Sequence, residues 1–334
     1  MNIIVPMAGM GKRMRPHTLT VPKPLVAVAG KPIVQHLVED IAAMCTEKID
    51  EVAFIIGDFG QETEARLLDI AASIGAKGKI FYQTEALGTA HAVHCAKECL
   101  KGNIIVAFAD TIFRADFKLD ASKDGVIWVS KVENPKQFGV VLVDEQNQIR
   151  EFIEKPQEFI SDLAIIGIYY FNDGENLCKE IEYLLDNDIK DKGEYQLTNA
   201  LENMKNKGLR FEPGKVDEWL DCGNKNATVF TNQRVLEIKA GSASIDPSVK
   251  VENSVIIPPV YIAKGTEIIN SVVGPHVSLG ESCRVEHTLI NNSIVQQEAH
   301  LESANISNSM LGRNSVVKGR ARDLSVSDYS TIED

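Results

Sequence analysis

The sequence predicts an α/β protein in two parts. A doubly wound, mainly parallel sheet is expected over residues 1–240, and a short left-handed parallel β-helix over 241–334. Two observations carry this. Through the first part, short apolar runs alternate with stretches of helical periodicity, the β-α-β order that yields parallel strands covered by helices. After Gly241 the texture changes, and aliphatic residues recur six positions apart in segment after segment.

The elements follow in order. Ile3–Pro6 reads as a strand. Ile33, Val34, Leu37, Val38, Ile41 and Cys45 recur at helical spacing and precede the strand Val52–Ile56. A helix from Gln61 to Ala72 leads to the strand Lys79–Gln83, and a helix over Thr89–Leu100 leads to the apolar strand Asn103–Ala109. From Gly125 the pattern turns to paired strands, with a hairpin of Phe138–Val143 and Gln148–Ile153 across Asp144–Asn147. Helices are expected over Asn176–Leu185, Tyr195–Asn206 and Asn224–Lys239, with one strand, Lys215–Leu220, before the last.

Beyond Gly241, segments such as Ile245 to Val251, Ile262 to Ile268, Leu279 to Val285 and Leu311 to Val317 begin and end on an aliphatic residue. Each aliphatic would point into a triangular coil and stack on the next. Irregular spacing between 285 and 295 predicts a bulge or loop there. An antiparallel sandwich is the alternative, and it fits the single period poorly.

Composition narrows the function. Of 334 residues, 44% are hydrophobic and 25% charged, and the formal net charge is −12. That acidity argues against a nucleic-acid or anionic-membrane partner. No apolar run approaches the roughly 20 residues of a membrane helix, and no signal-peptide pattern opens the chain. Six scattered cysteines without C-x-x-C fit a reduced, cytoplasmic protein.

Against this acidic background the first loop is basic. The strand ending at Pro6 runs into Ala8-Gly9-Met10-Gly11-Lys12-Arg13-Met14-Arg15-Pro16-His17-Thr18, and Pro22-Lys23-Pro24 follows. Gly9 and Gly11 let backbone N–H groups approach an anion, while Lys12, Arg13, Arg15 and Lys23 add charge. A polyphosphate site is the reading, with a basic surface turn as the plainer alternative. The loop is neither G-x-x-x-x-G-K-[ST] nor G-x-G-x-x-G, because Met14 stands where a third glycine would be.

This spelling resembles the opening of the sugar-1-phosphate nucleotidylyltransferases, A-G-(G)-x-G-x-R-[LM]-x-P-x-T followed by P-K-P. One glycine of the longer form is missing, and Lys12 replaces a frequent Thr. Further motifs extend the resemblance over about residues 2 to 240. Phe108-Ala109-Asp110-Thr111 and Trp219-Leu220-Asp221-Cys222-Gly223 are similar to the elements whose aspartates hold magnesium. Gln83-Thr84-Glu85-Ala86-Leu87-Gly88-Thr89 resembles the base-binding loop of pyrimidine-nucleotide members. Phe138-Gly139-Val140 with Glu154-Lys155-Pro156 resembles the sugar-binding pair, and Ala164 to Tyr169 and Glu194 to Thr198 resemble walls of the sugar pocket.

The resemblance implies a Rossmann-like nucleotide-diphospho-sugar transferase fold and the reaction NTP plus sugar 1-phosphate giving NDP-sugar plus pyrophosphate. It implies that Ala8, Gly9, Gly11, Lys12, Arg13, Gln83, Gly88 and Thr89 bind nucleotide. Gly139, Glu154, Lys155, Gly167 and Tyr169 would bind the sugar phosphate. Asp110 and Asp221 would hold Mg²⁺, and Arg13, Lys23 and Lys155 would act in catalysis. The Asp110 and Asp221 elements with Glu154-Lys155-Pro156 lean toward a glucose-1-phosphate thymidylyltransferase. The Gln83 loop leans toward a uridylyltransferase acting on N-acetylglucosamine 1-phosphate, and a mannose-1-phosphate guanylyltransferase is third. His91 and His94 read as ordinary half-buried residues. His276, His287 and His300 in the repeats keep open an acyltransferase, and a non-catalytic regulatory homologue is a further alternative. The short solenoid exposes strand edges, so a homo-oligomer is expected.

Overall fold

The computed structural model describes residues 1–114, 118–240, 244–320 and 325–332. Two compact units emerge: residues 1–26 with 31–224, and residues 27–30 with 225–334. The helix Lys225–Ala240, placed by its sequence with the first domain, therefore packs in the second unit. Gly241, where the second domain was expected to begin, lies outside the described residues.

The first unit is built on a nine-stranded sheet. Its parallel half contains β1 (Asn2–Pro6), β2 (Glu51–Ile56), β3 (Lys77–Tyr82) and β4 (Ile104–Ala107), with β1 lying between β4 and β2. Ile3 and Val5 enter one core with α1 (Ile33–Met44) and α2 (Gln61–Ser73). Ile4, on the other face, joins α3 (Thr89–His94), α4 (Gly174–Asp186) and α5 (Leu197–Asn206). Burial of both faces is why β1, β2 and β4 read as apolar runs without alternation.

Beyond β4 the sheet turns antiparallel. A short strand, β5 (Thr111–Arg114), leaves the sheet, and β6 (Gly125–Lys131) rejoins it. The hairpin of β7 (Gly139–Val143) and β8 (Ile149–Glu154) then meets β9 (Leu163–Phe171), which bridges back to β4. The expected helix over Thr89–Leu100 ends at His94 and gives way to a separate 3-10 turn at Lys97–Cys99.

The strand expected over Lys215–Leu220 is two strands. β10 (Phe211–Lys215) lies on β6, where Gly214 leaves room for Trp128: an added Cβ would meet its Cδ1 at 2.9 Å. The chain breaks at Val216 and Asp217, and the Asp217 amide donates to the Arg114 carbonyl at 2.9 Å. β11 (Glu218–Asp221) then pairs with β5 in its own antiparallel ribbon.

The second unit is the left-handed parallel β-helix, with three sheets of five, five and four strands and with α6 (Lys225–Ala240) against its coils. Ile245 pairs with Ile262 and Ile262 with Leu279, a coil of 17 residues; Leu279 pairs with Val295 and Val295 with Leu311, a coil of 16. The irregularity between 285 and 295 is thus a coil shortened by one residue, not a bulge or loop. Corners are turned by left-handed residues such as Asn253, Asn270 and His287, whose φ angles are 47°, 48° and 48°. Inside, hydroxyls replace lost backbone pairing: Ser271 N–H donates to Ser254 Oγ at 3.0 Å and Thr288 N–H to Ser271 Oγ at 3.1 Å.

Candidate active site

The carboxyl ends of β1, β3 and β4 open onto one rim of the sheet, the usual place for a ligand in a parallel α/β fold. Two adjoining cavities of about 430 and 260 Å³ occupy that rim. Every residue expected from sequence to bind nucleotide, sugar phosphate or metal lines one of them. The first holds the Ala8–Arg13 loop, Lys23, Gln83, Gly88 and Thr89. The second holds Gly139, Glu154, Lys155, Gly167, Tyr169 and Asp221. Arg13, Thr89, Phe108, Asp110 and Glu194 border both.

Local structure explains each placement. Gly11 has φ 56° and its Cβ would sit 2.9 Å from Lys23 Cβ, so the loop closes tightly against the Pro22-Lys23-Pro24 segment. The Gly11 carbonyl accepts from Thr18 Oγ1 at 2.8 Å and from the Met14 amide at 2.9 Å, which fixes the turn that carries Lys12 and Arg13. Gly9 has no neighbour within 4 Å of a Cβ position, leaving its backbone open to the cavity.

Gly88 and Thr89 are held against the segment that leads into α5. Gly88, at φ 120°, packs so closely that a Cβ would lie 2.4 Å from the Tyr195 carbonyl oxygen. Thr89 Oγ1 donates to Gln196 Oε1 at 3.2 Å and accepts from the Leu197 amide at 2.9 Å. Gln83 Nε2 donates to the Gly88 carbonyl at 3.1 Å and lies 3.2 Å from His91 Nδ1. Burial, followed by the neighbouring His94 charge, lowers the His91 pKa and favours the neutral ring that this contact needs.

The two aspartates meet because of the break before β11. Asp221 is paired with Thr111 in the β5–β11 ribbon, and the Cys222 amide donates to the Asp110 carbonyl at 3.0 Å. The Asp221 carboxyl accepts from the Gly223 amide at 2.9 Å. Its pKa is raised, first by burial and then by the Asp110 charge. Two carboxylates that repel one another in a partly dry cavity form a donor set for a hard divalent cation, which takes one or two protein carboxylates. Asp110 also accepts from the Lys23 ammonium at 3.0 Å.

On the wall of the second cavity, Lys155 Nζ and Glu154 Oε1 are 3.2 Å apart at the end of β8. Lys155 adopts φ 45°, and its amide donates to the Phe138 carbonyl at 3.1 Å. Glu154 is deeper than its neighbour, with its side chain 13% exposed against 47%. Gly139 leaves it room, since a Cβ there would stand 3.1 Å from Glu154 Oε2. Gly167, at φ 84°, sits where the β9 register shifts, and its carbonyl accepts from the Phe108 amide at 2.9 Å. The buried Tyr169 packs edge-on to Phe108 at 6.2 Å, and burial drives its hydroxyl pKa well above the ordinary value.

Lys192, Phe108 and Trp219 were not assigned roles from sequence. Lys192 Nζ donates to the carbonyls of both Glu154 and Lys155 at 3.0 Å, holding the strained pair from outside. Its position far along the chain gives no local signal. Phe108 was legible by its place at the strand end before Asp110.

Comparison with known proteins agrees with this geometry. The profile described as nucleotidyl transferase matches residues 2–237, and the GlmU-like C-terminal hexapeptide profile matches 237–298. The chain belongs to the nucleotidyl transferase family. It is 32% identical to the low-salt glycan biosynthesis nucleotidyltransferase Agl11 of Haloferax volcanii, over 94% of this chain and 93% of that one. It is 29% identical to a glucose-1-phosphate thymidylyltransferase of Streptomyces antibioticus, over 100% and 99%. The structure of a nucleoside-diphosphate-sugar pyrophosphorylase from Vibrio cholerae RC9 superposes with a TM-score of 0.60 at 22% identity, over 69% of this chain and 99% of that one, a likeness of fold. Among the described residues no helix is long and apolar enough to cross a membrane.

Proposed function

We propose that the protein transfers a nucleotidyl group from dTTP to glucose 1-phosphate, releasing pyrophosphate. The observation that carries the reaction class is the pair of adjoining cavities bordered in common by Arg13 and Asp110. One presents a glycine-rich basic loop suited to a triphosphate. The other presents Glu154 and Lys155, suited to sugar hydroxyls and a phosphate. The thymidylyl reading is supported by end-to-end similarity to the Streptomyces antibioticus relative. A UTP-dependent reaction with N-acetylglucosamine 1-phosphate is the second reading. It is favoured by the Gln83 loop and by the GlmU-like hexapeptide match.

In this reading an oxygen of the sugar phosphate attacks the α-phosphorus. The bond to the β-phosphate breaks, and its electron pair leaves with pyrophosphate. The second pKa of a phosphate monoester is about 6, so the nucleophile is already ionised at neutral pH and no general base is required. Lys155 holds the sugar phosphate in line. Arg13, with Lys12, offsets the charge of the departing pyrophosphate. Lys23, held by Asp110, would bridge the two phosphate groups. The family is divalent-metal dependent, and here Asp110 and Asp221 would hold Mg²⁺, which supplies charge neutralisation at the α-phosphate.

Each repeat-domain histidine has a polar neighbour. His276 Nε2 is 2.9 Å from Glu237, His287 Nε2 is 3.1 Å from Asn270 Nδ2, and His300 Nε2 is 3.4 Å from Glu286. A pyrophosphate-release panel of four NTPs against glucose, N-acetylglucosamine and mannose 1-phosphates tests the proposal. Greatest kcat/KM with dTTP and glucose 1-phosphate is expected. Preference for UTP with N-acetylglucosamine 1-phosphate selects the second reading, and no release with any pair overturns both.

A further inference from the structure

On the α3–α4 side of the first unit, a second constellation stands apart from the carboxylate pair. His94 is the last residue of α3, while Cys178 and Glu182 are one turn apart on α4 and so share a face. Their ligand atoms all lie within 4.8 Å of one another, and His94 Nε2 is already 3.3 Å from Glu182 Oε1. All three residues are half-buried. Tetrahedral bonds of about 2.0–2.3 Å to N, O and S place ligand atoms roughly 3.3–3.8 Å apart.

We propose that His94, Cys178 and Glu182 form a binding site for a thiophilic divalent cation of the zinc class. An imidazole, a thiolate and a carboxylate suit Zn²⁺ and disfavour Mg²⁺, which prefers an all-oxygen octahedron. Three protein ligands leave a fourth position for water. On binding, Cys178 releases its proton to solvent and the thiolate bonds the metal. The ion joins the end of α3 to α4, and α3 begins at Thr89 beside Gly88. It therefore acts as a clasp on the helix that leads out of the base loop, without entering the reaction.

Cobalt(II) is the probe. The full-length protein, freed of metal with chelator, is titrated with Co²⁺ in a large excess of Mg²⁺. One equivalent should produce the near-ultraviolet thiolate-to-cobalt charge-transfer band, and Zn²⁺ should abolish it. Cys178→Ser should remove the band and weaken binding at least 100-fold, and His94→Ala at least 10-fold. Zn²⁺ should raise the thermal midpoint of the wild type and not that of Cys178→Ser. Should Cys178→Ser fail to fold, alkylation of Cys178 in the wild type, followed by mass spectrometry, must be slowed by Zn²⁺. No charge-transfer band, an unchanged band in a folded Cys178→Ser, displacement of cobalt by Mg²⁺, or alkylation indifferent to zinc overturns the site.

Discussion

Lys23 and Asp110 form a 3.0 Å ion pair across 87 positions of the chain, with the lysine side chain 10% exposed and the carboxylate 44% exposed. The ammonium is committed to the cavity wall, whereas the carboxylate still faces the space where phosphates would lie. Asp110→Asn therefore removes the carboxylate that pairs directly with a buried cation. A loss of about 1–3 kcal/mol in denaturant unfolding is expected, with turnover reduced by about 100-fold or more. Lys23→Met removes charge and desolvation together and should cost less stability while also depressing turnover. Comparison of the two unfolding midpoints checks this, and equal stability of wild type and Asp110→Asn would refute it.

Asp221 makes a pH-dependent contribution of known sign. Burial and the Asp110 charge raise its folded pKa above the ordinary 3.8, so the folded state binds its proton more tightly than the unfolded chain does. Below about pH 3.8 both states are protonated and the group costs nothing. As pH rises from there through the folded value, the penalty develops. Asp221→Asn keeps an oxygen for the Gly223 amide and should raise the thermal midpoint at pH 7. The gain should vanish toward pH 3.8. The variant should also be nearly inactive. A midpoint at pH 7 below that of the wild type would contradict the assignment.

Lys155 and Arg13 should separate the two substrates. Lys155 lines only the sugar-side cavity of this pair, while Arg13 borders both. Charge-assisted phosphate contacts are worth about 1.5–3 kcal/mol. Lys155→Ala should therefore raise KM for the sugar phosphate about 10- to 100-fold and leave KM for the NTP nearly unchanged. Arg13→Ala should act mainly on use of NTP. Steady-state kinetics with each substrate varied in turn distinguish these outcomes, and weakening of NTP use alone in both variants would remove Lys155 from the sugar side.

Gly88→Ala tests the staple between the base loop and Tyr195. The added methyl would meet the Tyr195 carbonyl oxygen at 2.4 Å and its nitrogen at 2.6 Å, at a φ of 120° that L-residues avoid. Backbone strain of this kind costs about 1–3 kcal/mol. A chain that keeps its far-ultraviolet circular dichroism but loses most kcat/KM is the expected result. Full activity would show that the loop need not hold this shape.

Much of this site was legible in the sequence because glycines at tight turns and charged residues at strand ends leave a local trace. Gly9, Gly11 and Lys23 sit in short segments whose composition points to an anion site, whereas Asp110 stood out through the resemblance of its segment. The pairing of Asp110 with Asp221 was suggested by resemblance alone, since the ribbon that joins them depends on a break at Val216 and Asp217 that reads as continuous strand. The 17-to-16 change in coil length was hidden because a six-residue search looks past faces that advance by five. Lys192 carries no signal, because it acts only through carbonyls remote in sequence.

The last prediction concerns assembly and the second unit. Within it, Asn232 of α6 is fully buried: its Oδ1 accepts from Ser278 Oγ at 2.7 Å and from the Ala29 amide at 2.9 Å. A chain truncated near Lys239 would keep α6 but remove Ser278 and the coils that cover it, exposing a buried amide and the apolar residues Val229, Val235 and Leu236. Such a protein should aggregate, whereas truncation after Asn224 should leave the first unit more tractable. The terminal coil presents Val316, 61% exposed, on a strand that is the last of its sheet among the described residues. Packing that strand against a second copy would cover it. Light scattering of the full-length protein at micromolar concentration should give a mass of at least a dimer, and Val316→Lys should lower it without changing turnover per chain. A full-length monomer under those conditions would reject the assembly role.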